Sequence, residues 1–267
     1  MNRPIGIFDS GVGGLTVVKE VMRQLPQESI VYFGDTARVP YGSKSKDTVT
    51  KFSSQIIKFL LEQNVKSIII ACNTVNSNCI SELRAMFPKI NIVGVVDAGV
   101  KMASTVTVNG RIGVIGTQAT IDSNRYENLL RINNSNFEVY SKACPLFVPL
   151  VEDGWINHLV TRLITSHYLH DLIQEDIDTL ILGCTHYPML KEVIQEIVGD
   201  IMLINPAIEV ARSIGEILEN MDLKSHTNAT YSFYVSDQAN RMKQTAEMFL
   251  GCPIGKVTTV EIEKCYC

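Results

Sequence analysis

Cys72 and Cys184 are the residues of this chain best placed to do chemistry. Cys72 closes the run Ile68-Ile69-Ile70-Ala71 and precedes Asn73 and Thr74, two residue types that favour helix N-caps. So short a β-branched run reads as a buried strand, and parallel α/β proteins bind ligands where such strands end. Cys184 repeats the arrangement: residues 179–182 read as a strand that runs into Gly183-Cys184-Thr185-His186-Tyr187-Pro188. A thiol needs a lowered pKa or a partner base to react near neutral pH. The helix expected after each cysteine favours the thiolate through its dipole. His186 stands two residues beyond Cys184, and Asp9 ends a strand expected beside that of Cys72. Two thiols opposed across a substrate carbon suit a two-base reaction, one removing a proton and the other delivering one to the opposite face. The outcome is inversion at carbon.

The elements that must carry these residues alternate. Residues 4–8 read as a strand, 9–14 as a glycine-rich turn, and the spacing of Leu15, Val18, Val21, Met22 and Leu25 as a helix ended by Pro26. A strand at 29–33 leads into the polar loop GDTARVPYGSKS, long enough to line a site. A helix at 46–63, the strand to Cys72, a helix to about 87 and a strand at 90–96 follow. The pattern then begins again near Val100: strands at 111–115 and 137–141 with a helix at 121–130 between them. Residues 144–153 carry two prolines and read as a loop ending near Glu152. A helix at 155–173, the strand to Cys184, a helix to 198, a strand at 201–204 and a helix at 206–219 complete the second round. Strands at 231–235 and 256–262 flank a final helix at 238–250.

This alternation calls for parallel sheets with right-handed crossovers, and an internal repeat strengthens the case. Thr117 falls opposite Ser10, Cys184 opposite Cys72, and the strand and helix around Ile204 and Ile208 opposite those around Val96 and Val100. The three pairs are similarly spaced and in the same order. The fold expected is α/β: two pseudosymmetric parallel-sheet domains facing each other across a crevice. Residues 1–97 with 208–267 form the first, the C-terminal segment returning to it, and residues 98–207 form the second.

Composition narrows the function. A net charge of −4 and the absence of any Lys/Arg run leave no footprint for nucleic acid. No apolar run has the length of a membrane span, and Asp9 interrupts the N-terminus too early for a secretory leader. Seven scattered cysteines without a CxxC pair suggest a reducing, cytoplasmic compartment and no metal site. Cys79, Cys144 and Cys252 read as small buried hydrophobes, and Cys265 and Cys267 as a frayed tail. His167 and His170, three apart on a helix, lack further ligands and read as packing or solvent-facing. Residues 11–14 fail the dinucleotide pattern because Thr16 replaces its last glycine. They read instead as turn residues that let backbone approach a small anion.

Asp-Ser-Gly-Val-Gly-Gly at 9–14, Pro40-Tyr41-Gly42, Ala71-Cys72-Asn73-Thr74 and Gly-Cys-Thr-His-Tyr-Pro at 183–188 together resemble the glutamate racemases of the aspartate/glutamate racemase superfamily. The resemblance runs along the whole chain in order and spacing. It implies cofactor-independent interconversion of L- and D-glutamate, supplying D-glutamate for bacterial peptidoglycan, by a homodimer. It implies Cys72 as the acid/base acting on D-glutamate and Cys184 on L-glutamate, with Asp9, Glu152 and His186 assisting proton transfer. It assigns substrate binding to Asp9, Ser10, Pro40, Tyr41, Gly42, Asn73, Thr74, Thr117, Thr185 and His186. Hydroxyls, amides and helix-start N–H groups bind carboxylates without an arginine clamp, so the residue types suit that role. Aspartate racemisation, another reaction of the superfamily, or non-catalytic binding of acidic amino acids are the competing readings.

Overall fold

A computed structural model describes residues 3–266. The first half runs β1 (Ile5–Asp9), α1 (Leu15–Gln24), β2 (Ile30–Gly34), α2 (Lys46–Glu62), β3 (Ser67–Ile70), α3 (Asn73–Met86), β4 (Asn91–Gly94) and α4 (Val95–Val106). The second runs β5 (Arg111–Gly116), α5 (Gln118–Asp122), α6 (Arg125–Asn133), β6 (Glu138–Ala143), α7 (Phe147–Glu152), α8 (Leu159–Gln174), β7 (Thr179–Gly183), α9 (Lys191–Val198), β8 (Met202–Ile204) and α10 (Pro206–Asn220). The remainder is β9 (Tyr231–Val235), α11 (Ala239–Leu250), β10 (Val257–Thr259) and α12 (Ile262–Cys265).

Two parallel sheets result. Their strand orders are β10-β9-β2-β1-β3-β4 and β6-β5-β7-β8. The order β2-β1-β3-β4 therefore recurs as β6-β5-β7-β8, and β9 and β10 extend the first sheet. Register carries the repeat down to single residues. Phe8 pairs with Ile70 in one sheet and Ile115 with Leu182 in the other. Each pairing puts a cysteine two residues beyond the second strand's partner and a hydroxyl, Ser10 or Thr117, two beyond the first's. The inner strands β1, β2, β3 and β7 are buried on both faces, as strands covered by crossover helices must be. One apolar cluster runs from the first sheet to the second, joining Ile7, Val17 and Ile69 to Leu182, Val210 and Ile214. Helix α10 packs on both α1 and α4 and supplies much of that continuity.

Several elements depart from the sequence reading. The third repeat pair is displaced, because Ile204 pairs with Ile181 and its counterpart is Val93, which pairs with Ile69. The strand ends at Gly94, and Val95 and Val96 already belong to α4. A Cβ at position 94 would lie 2.0 Å from Asn76 Oδ1, which accepts the Val96 N–H at 2.8 Å. The glycine thus admits the asparagine that starts the next helix. The helix expected at 121–130 is two helices, broken at Asn124 with φ +51°. The helix expected from 155 begins at Leu159, capped by the His158 side chain. The strand expected at 256–262 stops at Thr259, and the expected frayed tail is a helical turn that buries Ile262. Cys267 lies outside the described residues. Cys79 and Cys144 are buried as expected, whereas Cys252 is exposed. No helix among the described residues is long and apolar enough to cross a membrane.

Candidate active site

A cavity of about 410 Å³ opens where the C-terminal ends of both sheets meet. Ser10, Pro40, Tyr41, Gly42, Cys72, Asn73 and Thr74 reach it from the first half, and Thr117, Glu152, Cys184, Thr185 and His186 from the second. Those twelve are residues the sequence singles out, brought together from six separate segments. Asp9, the other one, stands behind the lining, with its Oδ2 accepting the Gly11 N–H at 3.0 Å. Its Oδ1 is buried without a hydrogen-bond partner among the described residues. Gly11, from the glycine-rich turn, and Val39 and Ser43, from the polar loop, line it as well, as do Gln118, Pro145, Val148 and Pro149, which the sequence did not single out as site residues.

The loop expected at 144–153 contains α7, which is what aims Glu152 inward. Pro149 is its third residue, in the first turn, where a missing N–H breaks no intrahelical bond. From the end of α7, Glu152 Oε1 meets His186 Nε2 at 3.0 Å, and His186 Nδ1 lies 3.9 Å from Cys184 Sγ. Burial works against the charged imidazole, but its contacts with Cys184 and Glu152 prevail and push its pKa up to about 10. His186 in turn holds the Glu152 carboxyl below the ordinary range. A proton-carrying imidazole therefore sits against the Cys184 sulfur. The helix expected to follow Cys184 directly begins later, as a single tight turn at Tyr187–Leu190, so no helix starts at Cys184 itself.

Cys72 is built differently. It N-caps α3, and its Sγ lies 3.4 Å from Ser10 Oγ. Burial, reinforced by the nearby Asp9 charge, pushes the thiol up to about 12 against the lowering contacts of Ser10 and the Val75 N–H. The helix N-terminus expected to favour thiolate at Cys72 is thus outweighed by desolvation. Asp9 is itself raised by burial, although the His186 charge pulls the other way. Both sides are held close by the glycine-rich turn: Thr16 Oγ1 stands 2.9 Å from Gly13 O and 2.9 Å from Thr185 O. Among the described residues no group of three His, Cys, Asp or Glu side chains is placed to hold a metal ion.

The family model described as Asp/Glu/Hydantoin racemase matches residues 6–214. The chain belongs to this racemase family. Glutamate racemases of Neisseria meningitidis and Geobacter metallireducens are 45% and 46% identical to it, covering 97% and 98% of this chain and 97% of each relative. The solved glutamate racemase of Francisella tularensis, in complex with D-glutamate, superposes with a TM-score of 0.93 at 42% identity. That match covers 98% of this chain and 99% of the other. The two parallel-sheet α/β domains of this racemase chain are those of its relatives.

Proposed function

We propose that the chain interconverts L- and D-glutamate by a cofactor-independent two-base mechanism. The observation that carries it is the placement of Cys72 and Cys184 at equivalent strand ends on the wall of one cavity. Identity of about 45% to glutamate racemases along nearly the whole chain supports the choice of substrate.

From L-glutamate, Cys184 takes the α-proton and Cys72 delivers one to the opposite face; from D-glutamate the roles exchange. In the direction from L-glutamate, the Cys72 thiol, pushed up to about 12 by burial, starts in the donor form. The imidazole beside Cys184, coupled to Glu152, relays the proton on that side. The α-proton of an amino acid is weakly acidic, so the carbanion-like transition state needs preorganised donors in a site shielded from water. Ser10, Asn73, Thr74, Thr117 and Thr185, with the Pro40-Tyr41-Gly42 turn, supply them to the two carboxylates. Asp9 and Glu152 face the ammonium or assist proton transfer. The two domains that face each other across the site are residues 1–97 with 208–267, and residues 98–207. The product serves peptidoglycan synthesis in the cytoplasm, and the enzyme works as a homodimer.

Purified protein in deuterated solvent tests this reading. Either enantiomer alone should racemise without added cofactor, and each product molecule should carry solvent deuterium at Cα. Cys72→Ala and Cys184→Ala should each lose racemisation by about a thousandfold or more, the scale of a missing acid/base. Retained activity in either variant would sink the two-thiol mechanism, and faster turnover of aspartate would reassign the substrate.

A further inference from the structure

Behind the Pro40-Tyr41-Gly42 turn lies a buried polar network outside the acid/base machinery. Tyr41 lines the cavity, and its hydroxyl donates to Asp35 Oδ2, a residue outside the lining. The same oxygen accepts Arg38 Nε at 2.7 Å, and Arg38 Nη1 donates to Gln55 Oε1 at 2.6 Å. The Arg38 guanidinium lies over the Phe52 ring, 4.0 Å from its centroid, and that ring also packs on Tyr41. All four polar side chains are buried, from 0% exposed at Asp35 to 7% at Arg38.

Burying a charge pair is a poor way to gain stability, since desolvation offsets the attraction. This pair is also incompletely served: Asp35 Oδ1 and Arg38 Nη2 are buried without a hydrogen-bond partner among the described residues. Its geometry is specific, however. One carboxylate oxygen receives a donor from the cavity wall and a donor from the guanidinium, and the guanidinium is anchored to α2 through Gln55 and Phe52. The turn they hold is a single helical turn at Tyr41–Ser43, and all three of its residues line the cavity. Displacing Tyr41 would move that stretch of the wall.

We propose that Asp35, Arg38 and Gln55 are positioning residues that fix the Tyr41–Ser43 turn as a carboxylate cradle for the substrate. The proposal rests on the glutamate reading for its substrate and on geometry for its mechanism. Asp35, Arg38 and Gln55 hydrogen-bond to neither thiol, so they act on binding and treat both enantiomers alike.

Steady-state kinetics in both directions and amide hydrogen exchange of residues 38–44 test it together. Asp35→Asn and Gln55→Leu should raise KM for L- and D-glutamate equally, by about tenfold, with kcat changed less than about threefold. Exchange across the turn should accelerate in the same variants. Gln55→Glu keeps the acceptor for Arg38 and should restore wild-type KM. Arg38→Lys keeps the charge but loses the fork that joins Asp35 to Gln55, and should resemble Gln55→Leu. A folded Asp35→Asn protein with wild-type KM and exchange would overturn the proposal, as would a fall in kcat alone. If Asp35→Asn does not fold, the contrast between Gln55→Leu and Gln55→Glu decides. A wild-type protein inert toward glutamate would refute the functional reading instead. Exchange across the turn would then decide for or against the network alone.

Discussion

The hydroxyls of Thr74 and Thr117 stand 3.0 Å apart, although one lies in the first turn of α3 and the other N-caps α5 in the opposite half. Thr117 Oγ1 is also 3.0 Å from Thr120 Oγ1, so three hydroxyls form a chain across the boundary between the sheets. Close by, the Tyr126 hydroxyl donates to Asn73 Oδ1 at 2.7 Å, a second tie of the same kind. Thr74, Asn73 and Thr117 all line the cavity. Joining the halves and lining the cavity are therefore done by the same side chains.

Thr117→Val should separate those two roles. A hydrogen bond to a charged group contributes about 1.5–3 kcal/mol, so KM for both enantiomers should rise at least tenfold, to about a hundredfold at most. The lost cap on α5 costs about 1 kcal/mol, lowering Tm by a few degrees in a chain of this size. Kinetics in both directions with a thermal scan checks it. An unchanged KM would remove Thr117 from the substrate cradle.

His186 should make stability depend on alkaline pH. Its pKa is raised from 6.5 to about 10 in the folded protein, so the protonated form is favoured by folding. That contribution is complete below the unfolded value, declines above it, and is lost as pH rises through about 10. Tm should fall between pH 7 and pH 10, and the fall should be smaller in Glu152→Gln, which removes one of the two partners. A His186 titration followed by NMR should move down in the same variant. Identical pH profiles for the two proteins would contradict the coupling.

Asp9 should govern how readily Cys72 is alkylated. The thiol is pushed up to about 12 by burial first and by the Asp9 charge second. Only the thiolate attacks iodoacetamide, so Cys72 should react slowly at pH 8 and faster with each step toward pH 10. Asp9→Asn removes one cause of the shift, keeps an acceptor for the Gly11 N–H, and should accelerate the reaction several-fold. Peptide mass mapping distinguishes Cys72 from the exposed Cys252 and Cys265. An Asp9→Asn protein that reacts no faster would show that burial alone sets the thiol.

The two cysteines were legible because a short β-branched run ending in a chemically active residue has one meaning in a parallel sheet. The repeat around Ser10 and Thr117 was legible for the same reason, and the register confirms it. The third repeat pair was misplaced because Val95-Val96 continues the apolar run of β4 into α4. Hydrophobicity alone does not separate a strand end from a buried helix start. Helix α7 was hidden by Pro145 and Pro149, which read as breakers although Pro149 occupies a tolerated first-turn position. Arg38 and Asp35 left no sign of burial, because charged residues in a polar loop are ordinarily solvated. Gln55 joins them only through the folding of α2 against that loop.

Gly13→Ala should disable the Cys184 side by steric means alone. Its φ is not in the left-handed region, so alanine meets no backbone penalty there. The added Cβ would, however, lie 2.3 Å from Thr185 Oγ1 and 2.5 Å from the His186 ring. Thr185 can turn its hydroxyl aside by changing rotamer, but the imidazole is held between Cys184 and Glu152 and has no such freedom. Relief must come from moving His186 or from separating α1 from the 184–186 bend, and either lengthens the path from Cys184 to Glu152. Turnover of L-glutamate should drop about a hundredfold, the usual scale for a misplaced proton relay. Gly255→Ala, which meets nothing within 4 Å, should leave activity unchanged and stability within about 0.5 kcal/mol of wild type. Comparable loss in both variants would point to a general intolerance of alanine for glycine, whereas full activity in Gly13→Ala would mean that His186 need not stay where the turn now confines it.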